Sequence, residues 1–144
     1  MNYVFHIEHV FKPVNPKDSC KMKHYDILIV DDEQRYADML AKRLGLRGLR
    51  CEVRYDGQTA ITAMDEVSVA AVILDLRLPD LYGTEVLREI KRCRPETIVI
   101  ILTGHGNEKD RQACLALGAH AFMNKPLDID RLLAIMAETK KGAE

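Results

Sequence analysis

The chain has 144 residues, 47% of them hydrophobic and 30% charged, with a formal net charge of -1. This is the composition of one ordinary globular domain, and a near-neutral chain with no basic stripe carries no footprint for direct nucleic-acid or membrane-surface binding. Four scattered cysteines, Cys20, Cys51, Cys93 and Cys114, make neither a C-x-x-C pair nor a zinc spacing and read as thiols of a reducing cytosol. No apolar run approaches the roughly 18 residues of a membrane span.

Residues 1–23 lack the continuous apolar core of a signal peptide. Pro13 and Pro16, followed by Lys17, Asp18 and Ser19, read as a flexible extension, a leader or a mis-assigned start ahead of Met22. A short docking arm through Val4, Phe5, Val10 and Phe11 is the functional alternative. The first strand is expected at Asp26–Val30. A helix follows with Tyr36, Met39, Leu40 and Leu44 on one face, ended by Gly45 and Gly48. Leu49–Tyr55 alternates apolar and charged residues, as a strand nearer an edge should. The turn Tyr55-Asp56-Gly57 opens a second helix, with Ala60, Ala63, Met64 and Val67 at i, i+3, i+4, i+7.

Ala70–Asp75 and Thr97–Thr103 are continuous apolar runs, suited to strands covered on both faces. Between them Val86, Leu87 and Ile90 carry a third helix, with Pro95 past its end. Ala113, Leu115, Ala116 and Leu117 mark a fourth, closed by Gly118. Ala121–Asn124 is a short fifth strand. Asp128 caps a last helix whose apolar face is Ile129, Leu132, Leu133 and Met136. A regular (βα)5 string implies one α/β domain over residues 24–141, with 142–144 as a tail. Its size suits an open, doubly wound parallel sheet rather than an eight-fold barrel, which needs about 250 residues.

Function in such sheets collects beyond the carboxyl ends of the strands. Four of the five expected strands end in a polar group: Asp31 and Asp32, Asp75, Thr103, and Asn124 with Lys125. Three acids on one rim repel unless a proton or a cation is shared. A hard divalent ion with oxygen ligands fits, Mg²⁺ (or Mn²⁺) rather than zinc, since neither His nor Cys stands among the acids. Lys125 supplies a point charge for a phosphoryl oxygen and Thr103 a hydroxyl. Asp75, alone on its strand end, is the better nucleophile, and Asp31 with Asp32 the better metal clamp. Glu33 opens the first helix.

The fragments "VDDE" (Val30–Glu33), "ILDLRLPDLYG" (Ile73–Gly83), "ILTGHG" (Ile101–Gly106) and "AFMNKP" (Ala121–Pro126), in that order on strand ends, resemble the receiver domain of two-component response regulators. The resemblance covers residues 24 to 141. It implies a flavodoxin-like strand order 2-1-3-4-5. It also implies that Asp75 accepts a phosphoryl group from a sensor histidine kinase or a histidine phosphotransfer protein. Asp32 would bind the metal directly and Asp31 through water, with Asp75 and the Arg77 carbonyl completing the protein ligands. Thr103 and Lys125 would contact the phosphoryl group. Arg77 and His105 would line the pocket. Thr103 and Phe122 would form the switch pair, with Phe122 in place of the commoner tyrosine, and a cis peptide would precede Pro126. The output is a downstream protein target or an output domain outside this sequence, with a phosphorylation-linked dimer through the last two helices and fifth strand as an option.

Each residue also has a plainer reading. Asp31 and Asp32 suit a helix N-terminus, Asp75 a turn, Thr103 a strand end, Lys125 and His105 exposed loops, and Phe122 the core. Two other function classes compete. An aspartyl-phosphate phosphohydrolase wants a second acid two residues after the nucleophile, where Arg77 stands. A flavin module wants a phosphate cradle after the first strand, where acids would repel it.

Overall fold

The computed structural model describes residues 22–142; the reading of 1–21, with Cys20, and that of the tail at 143–144 lie outside them. Five strands alternate with five helices: β1 (Lys23–Val30), α1 (Gln34–Leu46), β2 (Cys51–Arg54), α2 (Gly57–Glu66), β3 (Val67–Leu74), α3 (Gly83–Cys93), β4 (Ile98–Thr103), α4 (Glu108–Ala116), β5 (Ala121–Asn124) and α5 (Ile129–Gly142). All strand pairs are parallel, in the order β2-β1-β3-β4-β5. The flavodoxin-like expectation therefore holds.

Alternation along the central strands splits the core in two. Leu28, Val30, Val72, Leu74, Val99 and Ile101 face α2, α3 and α4, meeting Ala60, Met64, Val86, Leu87, Ile90 and Cys114. Ile27, Ile29, Ala71, Ile73, Ile98, Ile100 and Leu102 face α1 and α5, meeting Ala37, Leu40, Leu44, Leu132 and Met136. Each buried Val, Leu, Ile or Met among them contributes about 1.5–3 kcal/mol of burial, which is why the middle strands are apolar on consecutive positions.

Several sequence expectations are corrected by this packing. Met39 is 41% exposed; α1 buries the narrower stripe Ala37, Leu40 and Leu44. Val67 is not on the second helix but opens β3, because α2 runs into the strand with no connecting residue. α4 is short and polar and buries Cys114, with Leu115 and Leu117 partly covered, while Ala113 and Ala116 face solvent. Gly45 lies inside α1, and Gly48 ends it. Gly48 takes φ 83°, and the bonds Gly48 N–H to Gly45 O and Leu49 N–H to Leu44 O close the helix, the pairing that a left-handed C-terminal residue permits.

The loop after β3 is tied to α2. Asp80 accepts from the backbone N–H of Gly57 at 2.8 Å and of Gln58 at 2.9 Å, while Asp56 caps Thr59 N–H at 2.7 Å. The free amides of the helix start thus hold the loop that begins at Asp75. Asp80→Ala is expected to lower stability by about 1 kcal/mol, as lost helix caps do. Asp80→Asn, keeping one acceptor, should lose less. Urea unfolding of the three proteins measures the order.

Candidate functional site

Backbone pairing sets the rim. Asp75 N–H donates to Val30 O at 2.9 Å, Asp31 N–H to Arg54 O at 3.1 Å, and Lys125 N–H to Thr103 O at 3.0 Å. These bonds align the end of β1 with those of β3 and β2, and the end of β5 with that of β4. At the far side of the loop, Gly83 packs on the backbone of Asp75: a Cβ there would lie 2.5 Å from Asp75 O. The peptide before Pro126 is cis, as the resemblance implied.

Asp31, Asp75 and Thr103 are buried, whereas Asp32 is exposed. One carboxylate oxygen from each of Asp31, Asp32 and Asp75 falls within a 4.8 Å spread. Lys125 Nζ stands 2.7 Å from Asp31 Oδ2, 2.7 Å from Glu33 Oε1 and 3.1 Å from Asp75 Oδ2. The other oxygens are also engaged. Asp31 Oδ1 accepts from Glu33 N–H at 2.9 Å, and Asp75 Oδ1 from Arg77 N–H at 3.3 Å.

The sequence reading did not anticipate two residues of this arrangement. Glu33 sits at the N-terminal boundary of α1 but makes no side-chain cap there; its carboxylate goes to Lys125, which holds its pKa below the usual range. Tyr36, expected on the apolar face, does two polar tasks. Its ring lies under Lys125, with Nζ 4.9 Å from the centroid, a cation–π distance. Its hydroxyl accepts from Leu127 N–H at 3.1 Å. A hydroxyl-bearing ring three residues after Glu33, on the same helical side, was the available signal.

Arg77 is exposed and pairs through its backbone with Tyr82 in a short antiparallel bridge. Between the loops that follow Asp75 and Thr103 opens a cleft of about 220 Å³, lined by Arg77, Tyr82, Thr84, Thr103, His105 and Asp110 among others. His105 is exposed and lines this cleft together with Thr103. Phe122 is half-buried on β5, in register with Ile101.

Electrostatically the acids depend on the lysine. Burial pushes the Asp31 carboxyl up to about 6, and the nearby Asp75 adds to that, against the opposing hydrogen bonds from Lys125 and Glu33 N–H. Burial works against the Lys125 charge, yet bonding to Asp31 and Glu33 outweighs it and raises its pKa. A rim of this kind, with two buried acids, one wet acid and a bridging ammonium, can take up a hard cation and an oxyanion together.

The model of the response regulator receiver domain matches residues 27–137. The chain belongs to the response regulator receiver family. Receiver domains are the phosphorylation-controlled modules of two-component signalling, and this one is 37% identical over 117 residues to the transcriptional regulatory protein TcrA of Mycobacterium tuberculosis, covering 81% of this chain and 46% of that one. It is 36% identical over 119 residues to the sensory transduction protein RegX3 of Mycobacterium bovis, covering 82% and 52%. The chain therefore spans about half the length of the curated relatives it matches. Among solved structures, the receiver domain of NtrX from Brucella abortus is 34% identical, with a TM-score of 0.71 over 79% of this chain and 97% of that one. A CheY-like receiver domain protein from Methanospirillum hungatei is 26% identical, with a TM-score of 0.77 over 84% and 98%. Among the described residues, no helix is long and apolar enough to cross a membrane.

The raised Asp31 pKa has a definite sign. The unfolded chain releases its proton near 3.8 and the folded one near 6. Between those values the folded state therefore holds more protons, and this group costs stability as pH rises. Asp31→Asn, which stays neutral, is expected to gain on the wild type from about pH 4 to about pH 7, by on the order of 2 kcal/mol. Urea unfolding in a chelator across that range tests this; a difference independent of pH would refute it.

Proposed function

We propose that this domain accepts a phosphoryl group on Asp75 from the phosphohistidine of a sensor histidine kinase or histidine phosphotransfer protein, with Mg²⁺ (or Mn²⁺) as the required ion. The observation that carries the reading is the cluster of Asp31, Asp32 and Asp75 within 4.8 Å, bridged by Lys125. The donor set fits the ion: it is all oxygen, contains no imidazole or thiolate, and includes one acid open to water. Asp31, Asp32, Asp75 and the Arg77 carbonyl would hold it. When bound, it supplies positive charge that offsets the acids and the incoming phosphoryl oxygens.

The protein's own groups do the rest. An oxygen of Asp75 attacks phosphorus, the donor's P–N bond breaks, and the freed imidazole keeps the electron pair and takes a proton. Lys125, already beside Asp75, neutralises a phosphoryl oxygen, and Thr103 offers its hydroxyl to another. Movement of Thr103 is read out at Phe122 and so at the face of α4, β5 and α5. The phosphoryl bond is later hydrolysed by water, so the domain acts as a switch rather than a turnover enzyme. Its output is a protein target or an output domain. A phosphohydrolase is not favoured, because Arg77 occupies the place of its second acid.

Incubation with acetyl phosphate, with and without Mg²⁺, followed by intact-mass measurement, tests this reading. One phosphoryl adduct is expected on the wild type with Mg²⁺ only, and none on Asp75→Asn. An adduct that persists on Asp75→Asn would move the acceptor elsewhere.

A further inference from the structure

Gly106 lies in the loop between β4 and α4, three residues beyond Thr103. A Cβ placed on it would overlap Phe122 Cζ and stand 2.8 Å from Phe122 Cε1 and 2.7 Å from Thr103 Cγ2. Gly104, in the same loop, would meet nothing within 4 Å. The bare backbone of Gly106 therefore fills the gap between the Thr103 methyl and the tip of the Phe122 ring. Register supports the same triangle. Thr103 pairs with Asn124 and Ile101 with Phe122, so Thr103 and Phe122 project to one face of the sheet, where Phe122 packs against the α2–α3–α4 side of the core.

We propose that Gly106 is the positioning residue that couples Thr103 to Phe122. The inference rests on the phosphoacceptor reading of Asp75. Close-packed groups with no void between them move together or exchange discrete arrangements. A turn of Thr103 toward a phosphoryl oxygen shifts its methyl, which bears on Gly106, which bears on the ring. A side chain at position 106 breaks this chain of contact. Of the two groups in its way, Thr103 is β-branched on a backbone held at the end of a buried strand, so it can change rotamer but cannot withdraw from the loop. The ring tip of half-buried Phe122 is the far end of a side chain with a route to solvent. The ring gives way, and Gly106→Ala places Phe122 off the loop whether or not Asp75 is modified.

The test uses the full chain labelled with 3-fluorophenylalanine. Of its three phenylalanines, Phe122 is assigned by its loss in Phe122→Leu. Fluorine spectra are recorded without ligand and with Mg²⁺ and beryllofluoride, a phosphoryl mimic. In the wild type and in Gly104→Ala, the Phe122 signal should shift on adding the mimic. In Gly106→Ala it should be displaced beforehand, and its response to the mimic reduced by about twofold or more, while acetyl phosphate still modifies Asp75. A Gly106→Ala spectrum matching the wild type in both states overturns the proposal, as does a wild-type Phe122 signal blind to the mimic when Asp75 is modified. If the wild type forms no adduct on Asp75, the phosphoacceptor reading has failed, and the unliganded displacement still decides the contact. Should Gly106→Ala not fold, Gly106→Ala with Phe122→Val and Thr103→Ser removes both the ring and the methyl that the new Cβ would meet. Recovered folding supports the contact, and continued failure to fold refutes it.

Discussion

Two carboxylates, Asp31 and Asp75, are buried at the ends of adjacent parallel strands, and one ammonium makes that tolerable. An unpaired buried carboxylate is costly, and two near each other more so. Lys125 meets both, from the opposite end of the chain order of strands. The sheet order places β5 at an edge, with β4 between it and β3. The lysine therefore reaches across β4 to act, and the loop that carries it must be held in place. Tyr36 does this from α1, on the same face of the sheet as α5, through its ring and its hydroxyl.

The rest of the rim follows from that constraint. The β3–α3 loop leaves Asp75 and is fastened by Asp80 to the start of α2. Gly83 returns the chain hard against the Asp75 backbone. On the other side, Thr103 ends a strand that is buried along its whole length. The chemistry-bearing groups thus sit on rigid strand ends, while the exposed parts of the cleft, Tyr82 and His105 among them, come from loops. This division is the common one in which a fixed scaffold presents variable loops.

Much of this was legible in the sequence because the deciding signals are local. A run such as Ile27–Val30 followed by acids marks a strand and its functional end together, and the four quoted fragments fixed the strand order by resemblance. What escaped was contact across distance. Glu33 and Lys125 are 92 residues apart, and Tyr36 and Leu127 are 91; no periodicity encodes such pairs. Helix faces failed where the covering layer is thin. Met39 has the hydropathy of a core residue but lies beside the contact stripe of α1. α4 buries a cysteine where alanines were expected. Val67 continued the helical period of α2 only because no loop separates that helix from β3.

Lys125 has three N–H donors, and three carboxylates, Asp31, Glu33 and Asp75, surround them. The ammonium is saturated. A further acceptor can be met only by exchange, and the partner that loses least by returning to water is Glu33, whose side chain is 64% exposed. Glu33 is in this sense a placeholder: it occupies a coordination direction of the lysine that an arriving oxyanion would need, and it stands where solvent can reclaim it.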